Sequence, residues 1–171
     1  MREWVPVSTS AKGRLTLAAV RAFGAQSFDA VSVADLATEA DVTTGALYHH
    51  FGSKLGLYEF VRRDVEQRLL DRMEGAAGTL GDGGPIGAVL GVGFDFAVDK
   101  GFQRILGEPP QAAESDALVD LLDRLVAPAR PPLGRMLAVA WRAAVLSTCD
   151  GGDVDAARTA LSALRLEVAA R

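Results

Sequence analysis

One cysteine, Cys149, stands in the whole chain, so no disulfide can close within it, and a lone thiol fits a reducing compartment. Histidine is nearly as scarce: His49 and His50 are the only two, and they are neighbours. Adjacent residues on a helix point to different sides, so the pair does not make a metal site, and no second group stands ready to complete one. The same scarcity removes a nucleophile–base–acid set, and no enzyme and no cofactor are expected. Long apolar runs are missing too. The most apolar segment, Leu133 to Thr148, is 16 residues and carries Arg135 and Arg142, too short and too charged for a membrane span. The opening Met-Arg-Glu-Trp-Val-Pro lacks the basic-then-apolar layout of a secretion signal, so a cytoplasmic location without membrane contact is expected. An excess of positive charge is also absent. Residues 1–72 hold nine Lys/Arg and nine Asp/Glu, whereas residues 73–171 hold nine and thirteen, which accounts for the net charge of −4. Any attraction to phosphate then depends on where a few cations sit.

What the sequence does have is helical periodicity from end to end. Leu15, Ala18, Ala19, Ala22 and Phe23 form one apolar stripe and predict a first helix over about 10–26. Ser32 followed by Asp35 reads as an N-cap with its capping-box acid, opening a second helix through Ala40. A short third helix follows the turn at Asp41 and Thr43 and is ended by Gly52-Ser53. Leu57, Phe60, Val61, Val65 and Leu69 carry a fourth from Ser53 to about Gly75. The glycines of 78–84 read as a linker, and Pro85 suits the first turn of a fifth helix over 86–98. Prolines at 109, 110, 128, 131 and 132 divide the rest into helices near 100–107, 111–127, 132–149 and 153–170. The fold class is therefore all-α. An N-terminal three-helix helix-turn-helix head (1–52) is followed by a connecting helix (53–78) and a C-terminal helical bundle (79–171). That bundle is expected to form a dimer and to hold a candidate ligand pocket.

The segment Ala40 to Lys54 is the most telling. Two short amphipathic helices meet there at a turn, where Asp41 tolerates irregular backbone and Thr43 can cap. By helical phase Leu47 and Phe51 point inward, while Thr44 with Tyr48 and Gly45 with His49 share the opposite face. The competing assignment for Tyr48 is an ordinary core aromatic, and for Lys54 an ordinary solvated lysine. Residues 23–58 together resemble the DNA-binding head of the tetracycline-repressor (TetR) family of bacterial regulators. The resemblance rests on Phe23, Val33-Ala34-Asp35-Leu36-Ala37, Ala40-Asp41-Val42-Thr43, Gly45 through Phe51, Ser53-Lys54 and Leu57-Tyr58. Asp41 departs from it, standing where that family typically has Gly, as do Leu55 in place of an acid and Gly24 with Gln26-Ser27 at the end of the first helix.

The resemblance implies that the third helix reads the major groove of double-stranded operator DNA, with Tyr48, His50 and Lys54 approaching phosphates. Chemistry agrees at several positions. A cation beside the Ser53 cap opposes the helix dipole, which suits a place that expects an anion. Ser32 can offer its hydroxyl to a phosphate, Thr43 and Thr44 can bond base edges or touch a thymine methyl, and Gly45 and Ala46 permit close approach. His49 is the adjustable candidate for base readout, and Lys12 and Arg14 could add flanking phosphate contacts.

For the C-terminal bundle, Phe94, Phe102, Leu106, Leu122, Met136 and Trp141 are the candidate walls of a pocket for a small apolar or aromatic effector. Arg104, Arg135, Arg142 and Asp95 are its candidate polar groups. Val154, Ala157, Leu161, Leu164 and Val168 repeat as a heptad-like seam and, with Leu137 on a helix apolar almost all round, are the candidate homodimer interface. The acidic residues Glu108, Glu114, Asp116, Asp120 and Asp123 read as a solvated face. The reading that follows is a ligand-responsive transcriptional regulator, with repression as the default of the resemblance. The alternative is a dimeric helical module whose degenerate head binds protein instead of DNA.

Overall fold

The computed structural model describes residues 9–80, 86–110, 115–126, 132–149 and 151–164, and among these it is helical without strands. Contacts divide the chain into two units, 1–65 and 66–171. The first contains α1 (Ala11–Ala25), α2 (Val33–Glu39), α3 (Thr44–Phe51) and the opening turns of α4 (Lys54–Leu80). Each helix starts on a side-chain cap. The hydroxyls of Ser10, Ser32 and Thr43 accept from the backbone N–H groups of Gly13, Asp35 and Ala46, satisfying donors that have no partner inside the helix. Gly52, at φ 75°, ends α3 in a left-handed conformation that favours glycine. The turn into α4 is so close that a Cβ at Gly56 would collide with the carbonyl of Phe51.

The apolar stripe expected on the first helix is what this unit buries: Leu15, Ala19, Phe23, Leu36, Leu47 and Leu57 are at most 1% exposed. Phe23 meets Phe28 and Tyr58 at ring-centroid distances of 5.9 and 5.0 Å, an aromatic cluster beneath the α1–α2 connection. Because α1 packs on both α2 and α3, the third helix is supported from behind and needs only Leu47 as its buried anchor.

The second unit holds the remainder of α4 and α5 (Ile86–Asp99), α6 (Gln103–Gly107), α7 (Ala117–Leu125), α8 (Leu133–Ser147) and α9 (Val154–Ser162). Helix α8 packs on α5, α6 and α7, and α9 packs on α5 and α8. Trp141 sits at the middle with no exposure, and its indole Nε1 donates to the carbonyl of Leu90 at 3.1 Å.

Several helix boundaries differ from the sequence expectation. Helix α4 runs through Gly75 and Gly78 to Leu80, so two glycines that suggested a helix end and a linker are helical. Helix α6 begins only at Gln103, because Gly101 at φ 70° breaks the chain first. Helix α7 starts after Asp116 as its cap. Residues 165–171, which include Val168 of the expected seam, lie outside the described residues.

Part of the expected seam is already covered within the chain. Leu137 and Leu161 are only 5% and 3% exposed within the single chain, and Val154, Ala157 and Leu164 are half-buried. The backbone of α9 approaches Gly87 of α5 so closely that a Cβ there would come within 2.8 Å of the Leu161 carbonyl. Leu161 thus packs inside the unit, on the side of α9 that meets α5 and α8. What α8 and α9 leave outward is a different set. On α8, Met136 and Val139 are 62% and 60% exposed, and Ala140 and Ala143 are exposed with them.

Candidate nucleic-acid interface

Helix α3 and the turn before it present Thr43, Thr44, Gly45, Tyr48, His49 and His50 to solvent, with Ala46 half-buried beside them. Tyr48 is 54% exposed, which removes it from the core. The rings of His49 and His50 lie 5.0 Å apart in an edge arrangement, and His50 continues edge-on to Phe51. Such a face combines hydroxyls, imidazoles and a side-chain-free patch at Gly45, which is the chemistry needed to read base edges and touch phosphate oxygens. Among the described residues no cluster of His, Cys, Asp or Glu could hold a metal ion.

The α2–α3 turn is held by geometry specific to this sequence. Asp41 adopts φ 51°, the only non-glycine with positive φ among the described residues. Short polar residues are the non-glycine types that enter this region most readily, which explains why Asp can stand at this position. Arg14 on α1 braces the same turn, donating from Nε to the Ala40 carbonyl at 2.8 Å and from Nη2 to the Asp41 carbonyl at 3.1 Å. A third bond runs from Nη1 to the Thr9 carbonyl. The expected stability order at position 41 is Gly at or above Asp, with Asp41→Val lower by about 1–2 kcal/mol, measurable by urea unfolding. A valine variant as stable as the parent would contradict the strained turn.

The cations expected at phosphates each have contacts within the head. Arg14 is spent on the turn. Lys12 places its ammonium 4.9 Å from the Phe60 ring centroid and 5.7 Å from that of Phe51. Lys54 donates from Nζ to the carbonyls of Phe28 and Val31 at 2.9 and 3.0 Å and lies 4.2 Å from the Phe28 ring centroid. Ser32 is exposed at the head of α2, but its hydroxyl donates to the Asp35 carboxylate at 2.6 Å while accepting from the Asp35 amide. It acts as a cap first, with a carboxylate beside it.

In the second unit the candidate pocket residues divide. Phe94, Leu106, Leu122 and Trp141 are buried in one core contributed by α5, α6, α7 and α8. Phe102 is half-buried against Phe96 at 5.6 Å. Met136 is the exception: its side chain is out in solvent, so it lines no internal cavity and belongs to the outward stripe of α8.

Two of the four polar groups expected to orient a ligand, Arg142 and Asp95, are held in ion pairs within the unit. Arg142 grips Asp116 with both terminal nitrogens, at 2.5 and 2.8 Å, and Asp95 accepts from Arg158 at 2.7 Å. Asp116 was expected on a solvated face and is instead an internal partner. It also caps α7 by accepting from the amides of Leu118 and Val119. Burial alone would raise its carboxyl pKa, but the hydrogen bond and charge of Arg142, aided by those amides, leave it below the ordinary value. The signal was present in the sequence: an Asp directly before an apolar helix with Asp120 in its first turn is an N-cap pattern.

Residues 15–61 match the family described as bacterial regulatory proteins, tetR family. No relative was found among curated proteins. Among solved structures, a TetR-family transcriptional regulator from Pectobacterium atrosepticum superposes with a TM-score of 0.66 at 23% identity, over 91% of this chain and 90% of that one. A tetR-family transcriptional regulator from Streptomyces coelicolor gives 0.60 at 26% identity, over 89% and 77%. The TetR-like transcriptional regulator LfrR from Mycobacterium smegmatis gives 0.56 at 20%, over 91% and 99%.

Proposed function

We propose that this TetR-family transcription regulator binds a near-palindromic DNA operator as a homodimer and represses from it until a small apolar or aromatic effector enters its C-terminal bundle. Head and fold supply the premise. The observation that carries the reading is the α3 face, where Thr43, Thr44, Gly45, Tyr48, His49 and His50 stand exposed on a helix that is capped by Thr43 and anchored by Leu47. In this proposal Thr44 and His49 read bases, Gly45 and Ala46 admit the groove wall, and Tyr48 and His50 meet phosphates. Neutral donors carry most of the backbone contact, in keeping with a charge balance of zero over residues 1–72.

Dimerisation is supported by the outward stripe Met136, Val139, Ala140 and Ala143 on α8, since apolar surface of this kind on a small unit favours a self-complementary contact. An effector response is supported by the apolar and aromatic make-up of the bundle core. A coupling of about 1–3 kcal/mol between effector and operator would change affinity from several-fold to a hundredfold. The cytoplasm, where an operator is reached, is the proposed compartment. Among the described residues no helix is long and apolar enough to cross a membrane.

In-vitro selection of bound DNA from a random pool tests the reading. The expected product is an inverted repeat whose half-sites lie about one helical turn apart, about 10 bp. A pool that shows no enrichment over many rounds would overturn DNA recognition and leave a head that binds protein.

A further inference from the structure

We infer that Arg14 is a positioning residue for operator recognition, setting the angle of the reading helix through the α2–α3 turn. This rests on the DNA-binding reading above. Helix α3 has one buried side chain, Leu47, so packing alone holds the rotation of that short helix weakly. What orients α3 is then the turn that delivers it. Helix α2 closes with the Asp41 amide donating to the Thr38 carbonyl at 3.1 Å and the Val42 amide to the Ala37 carbonyl at 3.0 Å. That pair of bonds is a Schellman ending, and it puts Asp41, at φ 51°, in the left-handed position that glycine usually fills.

The motif leaves the carbonyls of Ala40 and Asp41 without a partner inside the helix. Ala40 is only 2% exposed, so its carbonyl needs a donor from the protein. Arg14, half-buried on α1, serves both: Nε reaches Ala40 at 2.8 Å and Nη2 reaches Asp41 at 3.1 Å. Nη1 donates to the Thr9 carbonyl at 3.1 Å, just ahead of the Ser10 cap of α1. A planar guanidinium fixes the directions of these bonds relative to one another, which a rotating ammonium does not. The start of α1, the end of α2 and the turn are thereby held as one piece, two residues before Thr43 caps α3. The same brace offsets the cost of a left-handed backbone at a residue other than glycine. Three of the five guanidinium N–H groups are engaged, so a contact from the others to phosphate is compatible with this role.

Arg14→Lys keeps the charge and removes the fork, which separates positioning from attraction to phosphate. Well below its melting temperature, the variant is expected to bind the selected operator about tenfold more weakly, the worth of one or two charge-assisted bonds. Affinity equal to that of the parent would overturn the inference, because a purely structural arginine would lower the melting temperature alone. Asp41→Gly supplies a second arm, since glycine adopts the left-handed turn without a brace. In that background Arg14→Lys should cost no more than about threefold, the two sites being coupled through the turn. An equal loss in both backgrounds would overturn the inference too, for the arginine would then act somewhere other than the turn. A third measurement needs no DNA. In Arg14→Lys, native-state exchange of the Asp41 and Val42 amides should quicken by about tenfold, while amides in the middle of α1 keep the parent rate. Unchanged exchange at those two amides would remove the brace itself. That result is read on the free protein, so its failure and the failure of DNA recognition are separable.

Discussion

Asp116→Ala is expected to lower the unfolding free energy by about 3–5 kcal/mol, a large share of what a domain of this kind possesses. The carboxylate performs two tasks at once. One oxygen accepts from the Leu118 and Val119 amides and from Arg142 Nη2, while the other accepts from Nη1. Removing it takes away an N-cap, in itself about 1 kcal/mol, and leaves the Arg142 charge in a side chain only 9% exposed. The second loss dominates, because a buried guanidinium without its carboxylate keeps its desolvation cost and loses its compensation.

Arg142→Met should cost less than Asp116→Ala, since Asp116 is 23% exposed and retains its amides. The double variant should then be more stable than the sum of the two single losses predicts, with a coupling of about 1–3 kcal/mol in a thermodynamic cycle. Acid should act in the same direction as the substitution. The folded carboxyl pKa lies below that of an ordinary aspartate, so the contribution is present above the ordinary value and fades as pH falls below it. The gap between parent and Asp116→Ala, read by urea unfolding at stepped pH, should therefore be constant from pH 7 to about 5 and narrow below about 4. A gap under about 1 kcal/mol at neutral pH would mean that the pair is ornamental.

Legibility in the sequence followed the range of the interactions. Ser32 with Asp35, Thr43 before α3, and Leu15, Ala18, Ala19 and Phe23 on α1 are local patterns, and the structure repeats them nearly residue for residue. The exposed face of α3 was equally local, because Leu47 fixes the phase of an eight-residue helix. What the sequence concealed depended on partners far along the chain. Asp116 meets Arg142 across 26 residues, and Lys54 reaches Phe28 across the same interval. A cation whose acceptors are backbone carbonyls leaves no mark in composition, since every residue has a carbonyl. Gly75 and Gly78 misled for a related reason: glycine weakens a helix by about 1 kcal/mol, and flanking apolar anchors such as Leu69 and Met73 outweigh that. The seam on α9 is a periodicity of which Leu161 is already buried within the chain, because a repeat tells which residues share a face and never what covers it.

Val139→Arg is expected to separate the subunits and to reduce affinity for a full palindrome by about 10²–10⁴-fold, the factor that linking two half-site contacts provides. The valine is 60% exposed in the single chain, so the substitution should change the stability of the folded subunit by no more than about 0.5 kcal/mol. In a symmetric pair the substitution enters the contact twice, so two guanidiniums would be placed in an apolar interface with no carboxylate partner on the Met136, Ala140 and Ala143 stripe. The cost falls on association alone. Sedimentation equilibrium should show a monomer at concentrations where the parent is a dimer. Helical content and melting in dilute solution should match, and weak binding to an isolated half-site should persist because the α3 face is untouched. If the arginine variant stays dimeric and keeps its affinity, the pairing surface lies elsewhere. If it becomes monomeric yet binds the palindrome as tightly as before, two reading helices are not engaged together, and operator recognition by a dimer is wrong even with the α3 assignment intact.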